Sequence, residues 1–376
     1  MRVWSLRPPH LPETGVVMSL PPGRALDQTI RNRIFYTLYA AVFSTMIGVG
    51  IVIPLLPRYV ATLGASGIWI GAIFSSFALS KALFLPVFGR LSDRHGRRQL
   101  ILAGLCAYTG ISALYLCATS VTEITLLRFF HGMASAMVLP VAIAYICDIS
   151  PAGEEGRYIG SFTSSTCLGL SFGPLLGGVI LDLASKNVVF LSMTLLSLLA
   201  LGTTVVFLPE VPPRPAVRNP SCSLLLHAGL RGPVLYQLMY AFANGTFMVF
   251  IPVIAIQSGS LSATETGLVI LVSILSTTVF QHFFSRISNR FGRYQLIATG
   301  SGLIASSLII VPWLTGLLPF LFSSLLMGIG RGLSLPAMYG VVAGVGREVG
   351  HGRASGMVNT VLAIGLIIAP LVSGGV

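Results

Sequence analysis

One short segment combines glycine, arginine and aspartate, which are residue types that can form a tight turn and an ion pair. Residues 88–98 read FGRLSDRHGRR and hold four arginines and one acid, Asp93. Glycine permits a tight turn with close backbone approach, and arginine is costly to hold in hydrocarbon. Asp93 can pair with a neighbouring arginine or lie against the positively polarised start of another helix. We predict a conformational switch, and the alternative is a fixed anchor at a membrane surface. The predicted switch residues are Gly89, Asp93, Arg94, Gly96, Arg97 and Arg98.

Four basic side chains lie inside apolar runs, where charge is costly and marks a functional site by default: Lys81, Arg128, His131 and Arg331. Lys81 can extend its side chain towards the cytoplasmic surface, so the candidates are the other three. Arg128 and His131 are three residues apart and therefore share one helix face, while Arg331 lies in a later run. Histidine titrates near neutral pH, which suits proton transfer. We predict that these three side chains contact a substrate or a coupling ion. Structural roles are the alternative: arginines that hold helix carbonyls and a hydrogen-bonded core histidine.

The composition indicates that the chain is dissolved in a membrane. The 376 residues are 54% hydrophobic and 9% charged, with a mean hydropathy of +0.86, whereas soluble domains are about 25% charged. The net charge of +12 would suggest nucleic acid in a soluble protein, but here the basic residues lie between apolar runs, where they set orientation. The five cysteines have no metal or disulfide spacing. The sequence contains no phosphate-binding loop, metal-ligand cluster or nucleophile elbow, so we expect neither an enzyme, nor an ATP-driven pump, nor a cofactor.

Eleven apolar runs are long enough to cross a bilayer as helices. Of the 23 Lys and Arg residues, 18 fall on one side of the resulting topology, two on the other and three inside spans. This asymmetry predicts a multi-pass protein of the inner or plasma membrane with its N-terminus in the cytoplasm. The predicted spans are 34–56, 67–88, 99–119, 124–147, 157–182, 187–208, 232–256, 266–284, 295–315, 317–343 and 355–375.

The chain also repeats itself at an offset of 196 residues. Segments 88–104 and 284–300 are identical at ten of seventeen positions. An offset that spans an even number of helices predicts parallel repeats, which are related by an axis along the membrane normal. We expect a cytoplasmic tail, a six-helix bundle, a cytoplasmic linker and a second bundle with five helices, over residues 1–33, 34–208, 209–231 and 232–376. The offset predicts a twelfth span near 383–404, so a last helix is expected but missing from the 376 residues.

Small residues cluster in span 5, where they permit close approach of helices. Residues 173–178 read GPLLGG, and the proline removes a backbone hydrogen bond and can bend the helix. We predict a tight, kinked helix that seals the outer side between the two halves, and ordinary packing of small residues is the alternative. The residues concerned are Gly169, Gly173, Pro174, Gly177 and Gly178.

These motifs resemble the signatures of the major facilitator superfamily, and the resemblance extends over about residues 30–376. Segment 89–98, its echo at 285–293, Arg128 with Gly132, and the span 5 glycines each resemble a family signature. Leu91 through Arg98 are most similar to drug–proton antiporters, including tetracycline-type exporters. The resemblance implies an all-α fold of two bundles that rock about a central cavity. It places spans 1, 4, 7 and 10 at the cavity and spans 2, 5, 8 and 11 between the halves. The cavity spans add Tyr39, Tyr240 and Asn244 to the substrate or coupling candidates.

The leading functional prediction is secondary transport of a small molecule by alternating access. The resemblance favours efflux of drug-type organic molecules in exchange for protons, by a monomer in the lipid bilayer. No predicted span holds Asp or Glu near its centre, which departs from proton-coupled exporters of the resembled family. The cationic candidates would attract anions, so uptake or exchange of an organic anion is the alternative. A second alternative is a truncated, inactive or non-transporting membrane protein.

Overall fold

The computed structural model describes residues 27–151, 153–210, 228–257, 261–287 and 292–375, and the long elements in these ranges are all α-helices. Eleven helices correspond to the eleven predicted spans, and most extend past them because a helix continues beyond its hydrocarbon-embedded part. The helices are α1 (Gln28–Thr62), α2 (Gly67–His95), α3 (Arg97–Leu114), α4 (Val121–Ile149), α5 (Glu155–Leu183), α6 (Lys186–Phe207), α7 (Ala228–Gln257), α8 (Ala263–Ile287), α9 (Arg293–Ile310), α10 (Leu317–Val349) and α11 (His351–Gly375), with a 3₁₀-helix at Val311–Trp313.

Helix α3 departs from its predicted span in both length and hydropathy. Among the described helices, ten are long and apolar enough to cross a membrane by length and composition, and α3 is the exception. Two arginines and a glutamine occupy its first turn, and the helix ends at Leu114 instead of residue 119. The chain then turns, and the Tyr59 hydroxyl donates a 2.7 Å hydrogen bond to the Ala118 carbonyl, which secures the turn to α1.

The helices form two sets that meet along one seam. In the first set, α1 packs on α5 and α6, α2 packs on α4, and α3 packs on α4 and α6. In the second set, α8 and α9 pack on α10, and α7 packs on α11. The main contacts between the sets are α2 on α11 and α5 on α8. This is the interface that the family resemblance implied for spans 2, 5, 8 and 11. The expected linker 209–231 lies largely outside the described residues, and α7 begins inside it at Ala228.

The contacts across the seam are related to one another by the 196-residue repeat. Gly71 of α2 lies against the backbone carbonyl of Pro370 in α11, and Gly267 of α8 lies against the carbonyl of Pro174 in α5. Adding 196 to Gly71 and Pro174 gives Gly267 and Pro370. A second pair follows the same rule, because Gly67 meets the Gly374 carbonyl and Gly178 meets the Ala263 carbonyl. Two pairs of contacts, each exchanged by the same offset, confirm parallel repeats related by a two-fold axis.

The two ends of the bundle differ. We call the end with the α2–α3 turn the arginine end and the opposite end, where α2 begins, the far end. Most of the hydrogen bonds between described residues of the two sets lie in the far half, as in the 2.6 Å bond from Ser75 to the Ile367 carbonyl. One further side-chain hydrogen bond joins Cys167 of α5 to Thr278 of α8 near the middle of the seam. Towards the arginine end, a Cβ atom at Gly156, Gly160 or Gly356 would meet no heavy atom within 4 Å. The sets are therefore joined at the far end and separated at the arginine end.

The second set has an open groove at the position where helix α6 fills the first set. Helix α6 lies against α1 and α3. In the part of the chain that the structure describes, the equivalent faces of α7 and α9 are uncovered, with Met239 and Ile309 exposed by 58% and 63%. The twelfth span predicted near 383–404 falls beyond residue 376, so it stays a prediction.

Candidate functional site

A pocket lies in the seam between α2, α7 and α11. Its volume is about 370 Å³, which is within the range of small-molecule sites. Phe74 and Phe77 of α2 and Met248 of α7 contribute to a mostly apolar wall. The polar lining consists of Lys81, Asn244 and Asn359, from α2, α7 and α11 respectively. Both halves therefore contribute to one cavity near the middle of the helices, and Asn244 is the predicted candidate that lines it.

Lys81 is not among the site residues predicted from the sequence, because its side chain can extend towards the cytoplasmic surface. The structure places it on the pocket wall, half-buried, at the middle of α2. Its ammonium group has no hydrogen bond, ion pair or cation–π contact with another described residue. The sequence signal that could have found it is its central position in an apolar run. Lys81 therefore joins the candidate residues.

Arg128 and His131 face the interior of the first set. The Arg128 guanidinium carbon lies 5.1 Å from the centre of the Phe74 ring and 5.4 Å from that of Phe77, a cation–π arrangement. His131 is fully buried, with its ring 4.1 Å from the Tyr108 ring and 5.7 Å from Phe77. Neither ring nitrogen has a hydrogen-bond partner among the described residues. The two side chains share a face as predicted, but they lie behind the phenylalanines of the pocket wall.

Arg331 lies in the second set beside Tyr240. The guanidinium of Arg331 donates a 3.3 Å hydrogen bond to the Ser273 hydroxyl and lies 5.6 Å from the Phe247 ring centre. It interacts electrostatically with Tyr240, whose ring stacks on that of Tyr236. The structure thus brings two predicted candidates together on α7 and α10. Tyr39 lies apart from them on α1, where its hydroxyl is 3.3 Å from the Ser164 hydroxyl.

The predicted switch residues lie at the α2–α3 turn, where Gly96 adopts a φ of 95° that favours glycine. Arg97 is only 7% exposed and connects three elements. Its guanidinium lies 2.5 Å from the Asp93 carboxylate and 3.0 Å from that of Asp148 on α4. Arg98 donates to the Leu208 carbonyl at 2.6 Å and so satisfies the end of α6, where backbone carbonyls lack helical partners. The turn is therefore fixed within the first set.

Asp93 thus pairs with a neighbouring arginine, one of its two expected partners. The other expected partner was the positively polarised start of another helix. In the described part of the chain the ion pair of Asp93 is with Arg97, and its side chain is 40% exposed. At Gly89 a Cβ atom would meet nothing within 4 Å, and Arg94 is exposed. Asn289, which replaces the acid in the second copy, lies outside the described residues. A role of Asp93 in joining the halves stays a prediction.

The glycines of α5 serve two different partners. Gly169, Gly173 and Gly177 follow one another at four-residue intervals and press against the α1 backbone. Gly178 and the Pro174 carbonyl face α8 in the other set. Because the Cβ atom of any other residue would overlap those backbones, the glycines let α5 approach α1 and α8 at once.

The sequence profile described as the Major Facilitator Superfamily matches residues 38–236 and 233–376. The chain belongs to this superfamily. It is therefore a multi-pass membrane transporter of small molecules, and its relatives are transporters rather than enzymes.

Relatives of this superfamily member cover nearly its whole length. It is 26% identical over 348 residues to the uncharacterized MFS-type transporter MJ1560 of Methanocaldococcus jannaschii, which is 90% of each chain. It is 25% identical over 349 residues to the quinolone resistance protein NorA of Staphylococcus aureus, 91% of this chain and 89% of NorA. The crystal structure of a bacterial homologue of the human lysosomal transporter Spinster, inward-facing and unoccupied, superposes with a TM-score of 0.74 at 16% identity. That match covers 92% of this chain and 82% of the homologue and shows a shared fold.

The transporter also has a contact across the far end that the sequence analysis missed. The Asp182 carboxylate at the end of α5 accepts hydrogen bonds from the backbone N–H groups of Ala263, at 3.1 Å, and Thr264, at 2.7 Å. These groups belong to the first turn of α8, where N–H groups lack helical partners. Arg58 of α1 donates to the Leu261 carbonyl at 2.9 Å and lies 4.0 Å from Asp182. We call these residues the far-end latch: Arg58, Asp182, Leu261, Ala263 and Thr264.

Proposed function

We propose that this transporter exports small organic molecules by alternating access, in exchange for protons. The observation that supports this best is the asymmetry of the seam. The halves touch at the far end through Gly71 and the far-end latch, and they separate at the arginine end. A pocket of about 370 Å³ lies between them. A carrier in this state can load a substrate from one side only, as alternating access requires.

The direction of loading follows from the proposed orientation. With 18 of 23 basic residues on one side, the arginine end faces the cytoplasm. The end at which the halves separate then faces the compartment from which an exporter takes its substrate. The relative NorA is a quinolone resistance protein, which supports drug-type substrates. Because the pocket lies between the two halves of one chain, we propose that a monomer is the transporting unit.

Accumulation assays test the export proposal directly. A host that lacks its own multidrug exporters would express the transporter or an empty vector and be loaded with ethidium or norfloxacin. We expect lower steady-state accumulation and faster extrusion with the transporter, and a loss of the difference when a protonophore collapses the proton gradient. Equal accumulation in both strains across a panel of such compounds would contradict export.

Uptake or exchange of an organic anion is the second candidate. It is favoured by the cations Lys81, Arg128 and Arg331 within the helices, none of which pairs with a carboxylate in the described ranges. Cells that accumulate a radiolabelled organic acid only when they express the transporter would favour this candidate over export.

A further inference from the structure

Lys81 is the only charged side chain among the described residues that line the seam pocket. It is fourteen residues from each end of α2, Gly67 and His95, which is about 21 Å along the helix at 1.5 Å per residue. A lysine side chain reaches only about a third of that distance. The predicted span ends nearer, at residue 88, about 10 Å beyond Lys81 along the helix, so the ammonium group still lies short of the end of the span. It therefore remains with the pocket.

An ammonium group in apolar surroundings is costly unless a counter-charge accompanies it. The four ion pairs among the described residues involve other basic side chains. No carboxylate lines the described pocket wall. The missing counter-charge is therefore one that a bound molecule can supply.

The rest of the pocket indicates the shape of that molecule. Asn244 and Asn359 place amide groups on the parts of the wall formed by α7 and α11, and neither makes a side-chain hydrogen bond to another described residue. Phe74 and Phe77 provide flat apolar surface, and the Arg128 guanidinium lies against both rings from behind. The pocket thus combines one point charge, two amides and an aromatic wall.

We infer that the seam pocket binds a small amphiphilic organic acid with one carboxylate, held by the Lys81 ammonium group. The apolar body of the acid packs on Phe74 and Phe77, and the amides of Asn244 and Asn359 complete its hydrogen bonds. One ammonium group matches one negative charge, and a second charge on the ligand would be buried unpaired, which is destabilising. This inference rests on the proposed transport function and specifies its substrate class.

A matched pair of ligands tests the charge. Purified transporter in neutral detergent at pH 7 would be titrated with 1-naphthaleneacetate and with 1-naphthaleneacetamide, which differ only in the carboxylate. We expect the acid to bind about 10- to 100-fold more tightly, the range of one charge-assisted hydrogen bond. Lys81→Gln should remove this preference and leave the affinity for the amide within about twofold, whereas Lys81→Arg should keep most of it.

The chain offers a matched control, because it has only two lysines. Lys186 lies at the far end, 3.9 Å from the Tyr59 ring centre and outside the seam pocket. Lys186→Gln removes the same charge and should leave the preference for the acid unchanged. Elution volume and thermal midpoint of each variant report whether it is folded.

Two results would overturn the inference: equal affinity of the wild-type protein for acid and amide, or a preference that survives Lys81→Gln. Phosphatidic acid in mixed micelles forms a third arm. If Lys81→Gln weakens binding of this lipid but not of naphthaleneacetate, the pocket holds a lipid phosphate and the inference is wrong. Extrusion of 1-naphthaleneacetate and of norfloxacin, which also carries a carboxylate, from proteoliposomes tests the transport proposal separately. Extrusion without tighter binding of the acid than of the amide would contradict the inference alone. Binding of the acid without any transport would contradict the proposed function.

Discussion

Replacing Asp182 with alanine is expected to open the far end of the transporter. The Asp182 carboxylate accepts from two backbone N–H groups at the start of α8, at 3.1 and 2.7 Å. The helix macrodipole makes this turn positive, which favours the carboxylate. Because Asp182 belongs to α5, these bonds form only while the two halves meet at the far end. Alanine removes both bonds and leaves the α8 backbone groups to water.

The size of the effect follows from the number and exposure of these bonds. A hydrogen bond to a charged group stabilises by about 1.5–3 kcal/mol net. The Asp182 side chain is 29% exposed, so water competes and the lower end of that range applies to each bond. Arg58 at 4.0 Å adds little. The latch therefore contributes about 2–3 kcal/mol, and its loss should shift the ratio of far-end-closed to far-end-open molecules by about 30- to 150-fold.

Distances between spin labels would measure this shift. Thr62 at the end of α1 and Leu318 at the start of α10 are exposed at the far end, one in each half. Asp182→Ala should move the distance distribution between labels at these positions towards longer values. Glu265→Ala is the matched control, because the Glu265 carboxylate accepts from the Ser262 backbone within the same half. An Asp182→Ala distribution that superposes on that of the wild type would refute the latch, as would equal opening by Glu265→Ala.

Three further substitutions probe the arginine end and the seam. Arg97→Ala leaves the Asp148 carboxylate, which is 10% exposed, without its 3.0 Å partner, so the free energy of unfolding should fall by about 3 kcal/mol, read as a lower thermal midpoint in detergent. Asp93→Asn removes a 40%-exposed partner of the same arginine and should slow transport in proteoliposomes with little change in that midpoint; unchanged transport would reduce the turn to an anchor. Gly71→Val should abolish transport by forcing the halves apart, whereas Gly110→Val, which points into open space, should be neutral.

The spans and the repeat were predictable because a bilayer leaves few choices. Backbone groups in hydrocarbon must pair within a helix, so apolar runs of about 20 residues mark the spans. Arg94, Arg97 and Arg98 mark the turn between two of them. The 196-residue offset also predicts which residues form equivalent contacts across the seam. Applied to Gly71 and Pro174, it pairs two glycines with two prolines that the structure places in contact across the seam.

The direction in which polar side chains face was not predictable from the sequence. In a soluble helix the apolar stripe marks the buried face. Lipid is as apolar as the protein core, so α4 has no such stripe, and the sequence could not show that His131 faces Tyr108 instead of the pocket. The partner of Asp182 was hidden for another reason. The acid lies 81 residues from Ala263, and only the packing of α5 on α8 brings them together.

The charges at the seam constrain how transport is driven. Exchange with protons requires a group that gains a proton in one state and loses it in the other. If His131 is that group, its ring must leave its buried place behind Phe77 and reach the pathway, and a pH gradient alone should drive export. If Lys81 keeps its proton throughout, export of a monoanion moves one negative charge outward. A membrane potential, negative inside, then drives export with about 2.3 kcal/mol per 100 mV. Proteoliposomes given a potassium diffusion potential without a pH gradient distinguish the two: export of naphthaleneacetate under that condition favours Lys81 as a fixed charge, and export only under a pH gradient favours His131.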